Sequence, residues 1–131
     1  MSIVALTARI LLGLIFTLAG VSPLLIGTPP PMPGLAGALN SAFYQSHWIY
    51  AISLAQFVAG VLLLVNRYVP VALVILAAFL YNSLVFHGLV MPAMLPVPLV
   101  VAALWFLTAL PYRAHFAALF NAKQGTVHRD V

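Results

Sequence analysis

The chain has 131 residues, of which 65% are hydrophobic and only 5% charged, with five Lys or Arg, a single acidic residue and no Cys. Ordinary soluble domains are roughly 25% charged, so a water-facing monomer is excluded, and a mean hydropathy of +1.17 makes lipid the natural solvent. Without cysteine there can be no disulfide scaffold, thiol relay, iron–sulfur cluster or Cys-bound zinc or haem, and the five scattered cations form no stripe for nucleic acid.

The first apolar segment, residues 3–26, has the roughly 17–25 residues needed to cross hydrocarbon. Its run from Ile10 to Leu18, followed by Ala19-Gly20, has the outline of a secretory signal but is read as a retained span. Gly27-Thr28-Pro29-Pro30-Pro31 ends it. The uncharged stretch that follows, residues 27–46, reads as a proline-stiffened loop, either a lid over a pocket or a docking surface. A second span covers residues 48–65, and Asn66-Arg67-Tyr68 separates it from a third at 69–90. Met91-Pro92 breaks the chain before a fourth at 95–111, where Pro96 and Pro98 fall early enough to be tolerated. The four spans form one domain, residues 1–111. In residues 112–131, Tyr112, Phe116, Leu119 and Phe120 recur at helical spacing, which predicts an interfacial helix ended by Gln124-Gly125-Thr126 and a basic cytoplasmic tail; a fraying end is the competing reading.

The cations test this count. Arg and Lys gather on the cytoplasmic side of short loops, and two crossings separate Arg9 from Arg67 and Arg67 from Arg113, so four helices place every cation on one side. Three or five would not. The expected fold is an all-α integral membrane four-helix bundle with both termini cytoplasmic, in a bacterial inner membrane. Arg9 lies inside the first span, so it is expected to snorkel to headgroups or to pair with a carbonyl at the inner side.

Ala8-Arg9-Ile10-Leu11-Leu12-Gly13-Leu14-Ile15-Phe16 with Ala19-Gly20, then Gly60-Val61-Leu62-Leu63-Leu64 with Asn66-Arg67-Tyr68-Val69-Pro70, then Asn82-Ser83-Leu84-Val85-Phe86-His87 occur in that order. Together they resemble the DoxX-like family of small four-helix membrane proteins. The resemblance implies association with sulfur-compound and quinone redox complexes, as in some members. It also marks two departures: members often carry a Lys after the first-helix Gly, where this chain reads Gly20-Val21-Ser22-Pro23, and a Glu ahead of the second-helix Gly, where it has Gln56. Both replaced groups are ionisable, so proton movement through such a pair would be lost here.

Polar groups within hydrocarbon must face protein, cavity or ligand. The candidate ligand-binding residues are Ser53 and Gln56 in the second span, Asn82 and His87 in the third, and His47 before the second. His47 and His87 each lie twenty residues from Arg67, about 30 Å along a helix, at the outer edge of the hydrocarbon. Ser53 is level with Asn82, and Gln56 lies deeper. Ser83 and His87 share a face, whereas Asn82 and His87 are separated by about 140°, so one pocket holds them all only if it is wide or the helix distorted. His47, beside Tyr44 and Trp48, reads first as a member of an aromatic belt at headgroup level. Gln56 and Asn82 read first as hydrogen-bond glue between helices, and His87 divides evenly between that role and function.

An outer pocket with these groups suits a quinone, His87 with Asn82 or Gln56 meeting its carbonyls and His87 accepting protons. A bis-His haem across His47 and His87 has depth in its favour but no binding motif and ranks low. No cofactor follows with certainty from the residues, quinone being the one they suit, and no catalytic motif accompanies the site. Three functions follow: a subunit binding a hydrophobic ligand within or beside a redox or energy-transducing complex, a structural accessory subunit packed among other membrane subunits, or a small-solute transporter. The last requires a homo-oligomer, since one bundle lacks the repeat pair of secondary carriers.

Overall fold

Nearly every side chain long enough to matter is apolar, so backbone polar groups must be satisfied within each segment, and helix is the form that does so. The computed structural model describes residues 1–121, and their regular elements are all helical. They are α1 (Ile3–Ile26), α2 (Gly34–Gln45), α3 (Trp48–Leu64), α4 (Val69–Leu89), α5 (Pro96–Ala109) and a short α6 (Arg113–Ala117), with 3₁₀ turns at Pro92–Met94, Leu110–Tyr112 and Ala118–Phe120. The expected end of the tail helix at Gln124-Gly125-Thr126 lies outside the described residues.

Ser2 starts α1, its hydroxyl accepting from Ala5 N–H at 3.2 Å. Pro23 sits inside α1 and cannot donate to Ala19 O. The Ser22 hydroxyl makes that bond instead, at 2.9 Å, so Ser22-Pro23 continues the helix where hydrocarbon would punish an orphaned carbonyl. Pro96 and Pro98 open α5, where backbone N–H groups have no intrahelical partner to lose.

α1, α4 and the run Pro96–Phe120 are each long and apolar enough to cross a membrane. α3, with 17 residues, spans about 25 Å and meets the test only together with α2, from which it is bent by 85°. The expectation of a stiff loop over residues 27–46 is therefore corrected. Its proline-rich first part is irregular, but Gly34–Gln45 is a helix. Leu35, Leu39 and Phe43 supply the apolar spacing, and Gly37 permits the start: a Cβ there would stand 1.7 Å from Met32 O. The bend falls at His47, whose φ of 61° lies in the left-handed region.

The four long helices form a ring in which α1 touches α3 and α5, and α4 touches the same two. α1 and α3 have the most extensive contact. Gly60 makes it possible, because a Cβ on it would lie 2.5 Å from Thr17 N and 2.9 Å from Gly13 O; small residues let membrane helices approach backbone to backbone. α5 is tied to α4 by Trp105 Nε1–H, which donates to Leu73 O at 2.9 Å.

The core is not central. Leu12, Leu63, Val69, Ala72, Leu73 and Leu76 cluster beside the turn between α3 and α4, with Tyr112 and Phe116 packed against them from the chain's last turns. Arg9 is buried there at 6% exposure, and its Nη1–H donates to Leu63 O at 2.7 Å near the C-terminus of α3. Of the two expectations for Arg9, the carbonyl partner is the one the structure contains. The bundle is thus packed tightly at its arginine end and opens at the other.

Candidate functional site

At the open end, where α3 and α4 diverge, α2 folds across the gap. A cavity of about 850 Å³ lies there. Its walls are almost wholly apolar: Leu39 and Phe43 from α2, Trp48 and Ile52 from α3, and Phe79 and Phe86 from α4, among others. Ala51, Ala55 and Ala78 leave the space that larger side chains would fill. Volumes of 300–1,000 Å³ with apolar walls and a few placed polar groups are typical of small-molecule sites.

The polar groups here are Asn82, Ser83 and His87 of α4, together with the indole N–H of Trp48 on α3. α4 is regular through its three, so it is the width of the cavity, not a distortion, that accommodates the 140° between Asn82 and His87. His87 Nδ1 lies 2.7 Å from Ser83 O and 3.4 Å from Ser83 Oγ. A carbonyl oxygen only accepts, so Nδ1 carries the proton and donates. In the neutral ring Nε2 then holds the lone pair. Asn82 Nδ2–H donates to Ala78 O at 2.9 Å, which leaves Oδ1 unpartnered among the described residues.

The other candidates lie apart. Gln56 lines a second, smaller cavity of about 130 Å³ at the centre of the ring, between Phe16 of α1, Leu80 of α4 and Val101 of α5. Phe79 and Ser83 line both cavities and so form the partition between them. Ser53 is buried at 4% exposure, seven residues before Gly60 and on the same face, and its hydroxyl is unpartnered among the described residues. His47 is exposed at the bend, stacks on Tyr50 with ring centroids 5.9 Å apart, and does not line the cavity that His87 lines. Of the five sequence candidates the structure therefore brings two together, Asn82 and His87, with Gln56 one wall away.

The sequence reading missed the α2 residues. Leu39 and Phe43 cover the cavity at an i, i+4 spacing that was visible, but the preceding prolines masked it.

The DoxX family model matches residues 4–89, two-thirds of the chain, from the first turn of α1 to the last residue of α4. The chain belongs to the DoxX family. No curated protein and no solved structure matches it. Within this DoxX protein the matched region contains α2, both walls of the large cavity, and Gln56, Asn82, Ser83 and His87. Where the resemblance expects ionisable groups after Gly20 and at residue 56, the structure has Ser22 closing the helix at Pro23 and the Gln56 amide facing the small cavity.

Proposed function

We propose that this DoxX protein binds a hydrophobic ring compound of the quinone class in the cavity between α3 and α4, within or beside a redox complex of a bacterial inner membrane. The carrying observation is the cavity itself: about 850 Å³, walled by aromatic and aliphatic side chains, with Asn82, Ser83, His87 and the Trp48 indole N–H as its polar points. A quinone ring with a short tail fits that volume and needs few polar contacts. The family's association with quinone redox complexes supports the class of ligand, and the outward-facing apolar side chains of every helix support a lipid environment with room for neighbouring subunits.

Trp48 lines the cavity and Trp105 packs against the core at the other end, so tryptophan emission reports occupancy. With the protein in lipid nanodiscs, a short-chain ubiquinone analogue is expected to quench saturably, and Trp48→Phe to remove most of the saturable part. Ala55→Phe or Ala78→Phe, each filling the cavity from one wall, should weaken binding at least tenfold. Undiminished quenching in both filled variants would place the ligand elsewhere and leave the structural-subunit reading in its stead.

A further inference from the structure

At the packed end of the bundle a cation is buried without a counter-charge. Arg9 is 6% exposed, and residues 1–121 contain no Asp or Glu. Taking a cation out of water is costly unless an anion or a full set of hydrogen bonds compensates. A guanidinium has five N–H donors, and among the described residues Arg9 uses one, from Nη1 to Leu63 O at 2.7 Å. Nε is enclosed with no partner there. Leu63 lies in the last turn of α3, so the charged head of Arg9 sits beside the turn that joins α3 to α4.

That turn adds two more cations. Arg67 N–H donates to Leu62 O at 3.1 Å, one residue from the partner of Arg9, and the Arg67 side chain is exposed. It stands between Asn66 (φ 57°) and Tyr68 (φ 52°), both in the left-handed region. For a side chain as bulky as Tyr that is unusual, and backbone held in such conformations gathers at ligand clamps and other functional sites. The Tyr112 hydroxyl reaches Asn66 Oδ1 at 3.5 Å, which brings exposed Arg113 to the same turn. Val65 and Tyr68 flank Asn66 and Arg67 with exposed apolar surface.

We infer that this end of the molecule is a headgroup site for an anionic phospholipid. Arg67 and Arg113 hold the phosphate, whose oxygens match the guanidinium fork, and the buried charge of Arg9 draws it in. Basic pockets between membrane helices take anionic headgroups on the same grounds. Inorganic phosphate has the same oxygens but no acyl chains to cover Val65 and Tyr68, which favours the lipid. The site is separate from the cavity at the open end, and its occupancy does not depend on what that cavity holds.

The test uses the full chain in nanodiscs made from equal amounts of phosphatidylglycerol and phosphatidylcholine with identical acyl chains, with the retained lipid identified by native mass spectrometry. One cation near the surface favours an anionic headgroup about fivefold, so phosphatidylglycerol should be enriched about tenfold or more in the species that keeps one lipid. Arg67→Gln combined with Arg113→Gln should lower the enrichment to about twofold or less, and Arg9→Met should lower it about fivefold. Lys123→Gln combined with Arg129→Gln removes the same charge outside the described residues and should leave the enrichment as it is. Equal retention of the two lipids overturns the proposal. So does an equal fall in both double variants, which would mean diffuse attraction to a basic protein, and an unchanged Arg9→Met would remove the buried charge from the site. Displacement of the lipid by inorganic phosphate added to the discs would make the free anion the occupant and overturn the lipid assignment.

Discussion

Arg9 shows how one side chain is accommodated where charge is expensive. It is buried in a helix of mean hydropathy 2.1, with no acidic residue among positions 1–121 to face it. Its partner is Leu63 O, one of the last carbonyls of α3, where the helix dipole presents partial negative charge. Among the described residues Nε has no partner. Two effects therefore compete on removing the side chain: relief of desolvation, and loss of a 2.7 Å charge-assisted bond. Such bonds contribute roughly 1.5–3 kcal/mol, and deleting the side chain also opens a void beside Leu12 and Leu63, so Arg9→Ala is expected to destabilise by about 2–3 kcal/mol. Arg9→Met, which refills the space without charge, separates the two. It should recover part of the loss, and full recovery in an SDS or thermal unfolding series would show that the hydrogen bond contributes nothing net. The sequence left Arg9 two options, headgroups or a carbonyl, because a cation inside an apolar run has few others, and the structure contains the second. The bonds that Asn82 and His87 make within α4 were not legible in it. Sequence reading cast both as donors to a ligand, and only the side-chain rotamers show one Asn82 amide hydrogen and the His87 Nδ1 hydrogen turned back onto the carbonyls of their own helix.

At the level of elements, periodicity and punctuation located α1, α3, α4 and α5 to within about two residues at most ends, since a long apolar run bounded by Gly, Pro or Arg leaves little latitude. α2 escaped for a physical reason. Its twelve residues include two glycines and follow four prolines in seven positions, signals that individually argue for a loop. Gly37 is nevertheless there because helix and Met32 carbonyl must share its space. The ring's closest contact depends on a glycine in the same sense. A methyl group on Gly60 meets Thr17 N at 2.5 Å and cannot be absorbed by a side chain moving aside, so α1 and α3 must separate. Gly60→Ala should cost about 1–3 kcal/mol, in the range of overpacked cores. Gly88, near the C-terminal end of α4, has nothing within 4 Å of the same position, and Gly88→Ala should be neutral or stabilising by up to about 1 kcal/mol through helix propensity alone. If both alanines proved equally harmless by unfolding midpoint, the α1–α3 interface would not be held by close backbone approach.

For the molecule as a whole, the arrangement of charge and space has a direction. Arg9 bonds to the last turn of α3, next to Arg67, and the Tyr112 hydroxyl reaches Asn66 Oδ1 at 3.5 Å, which brings Arg113 to the same end. Three cations therefore meet at the tightly packed end, while the cavity and the uncharged α2 occupy the other. Cations favour the cytoplasmic leaflet through anionic lipid and the insertion bias. On that bias the packed end is expected at the inner face of the membrane and the cavity at the outer. The chain has no cysteine, so single cysteines report sidedness without background. Leu35, at the start of α2, and Tyr68, in the turn between α3 and α4, are both exposed and mark opposite ends. In sealed right-side-out vesicles an impermeant maleimide should label Leu35→Cys directly and Tyr68→Cys only after permeabilisation. The reverse pattern would invert the protein and turn the cavity to the cytoplasm. Labelling of both from outside would mean that α3 does not cross, leaving α2 and α3 as a re-entrant pair bent by 85° and breaking the sorting of cations on which a four-span topology rests.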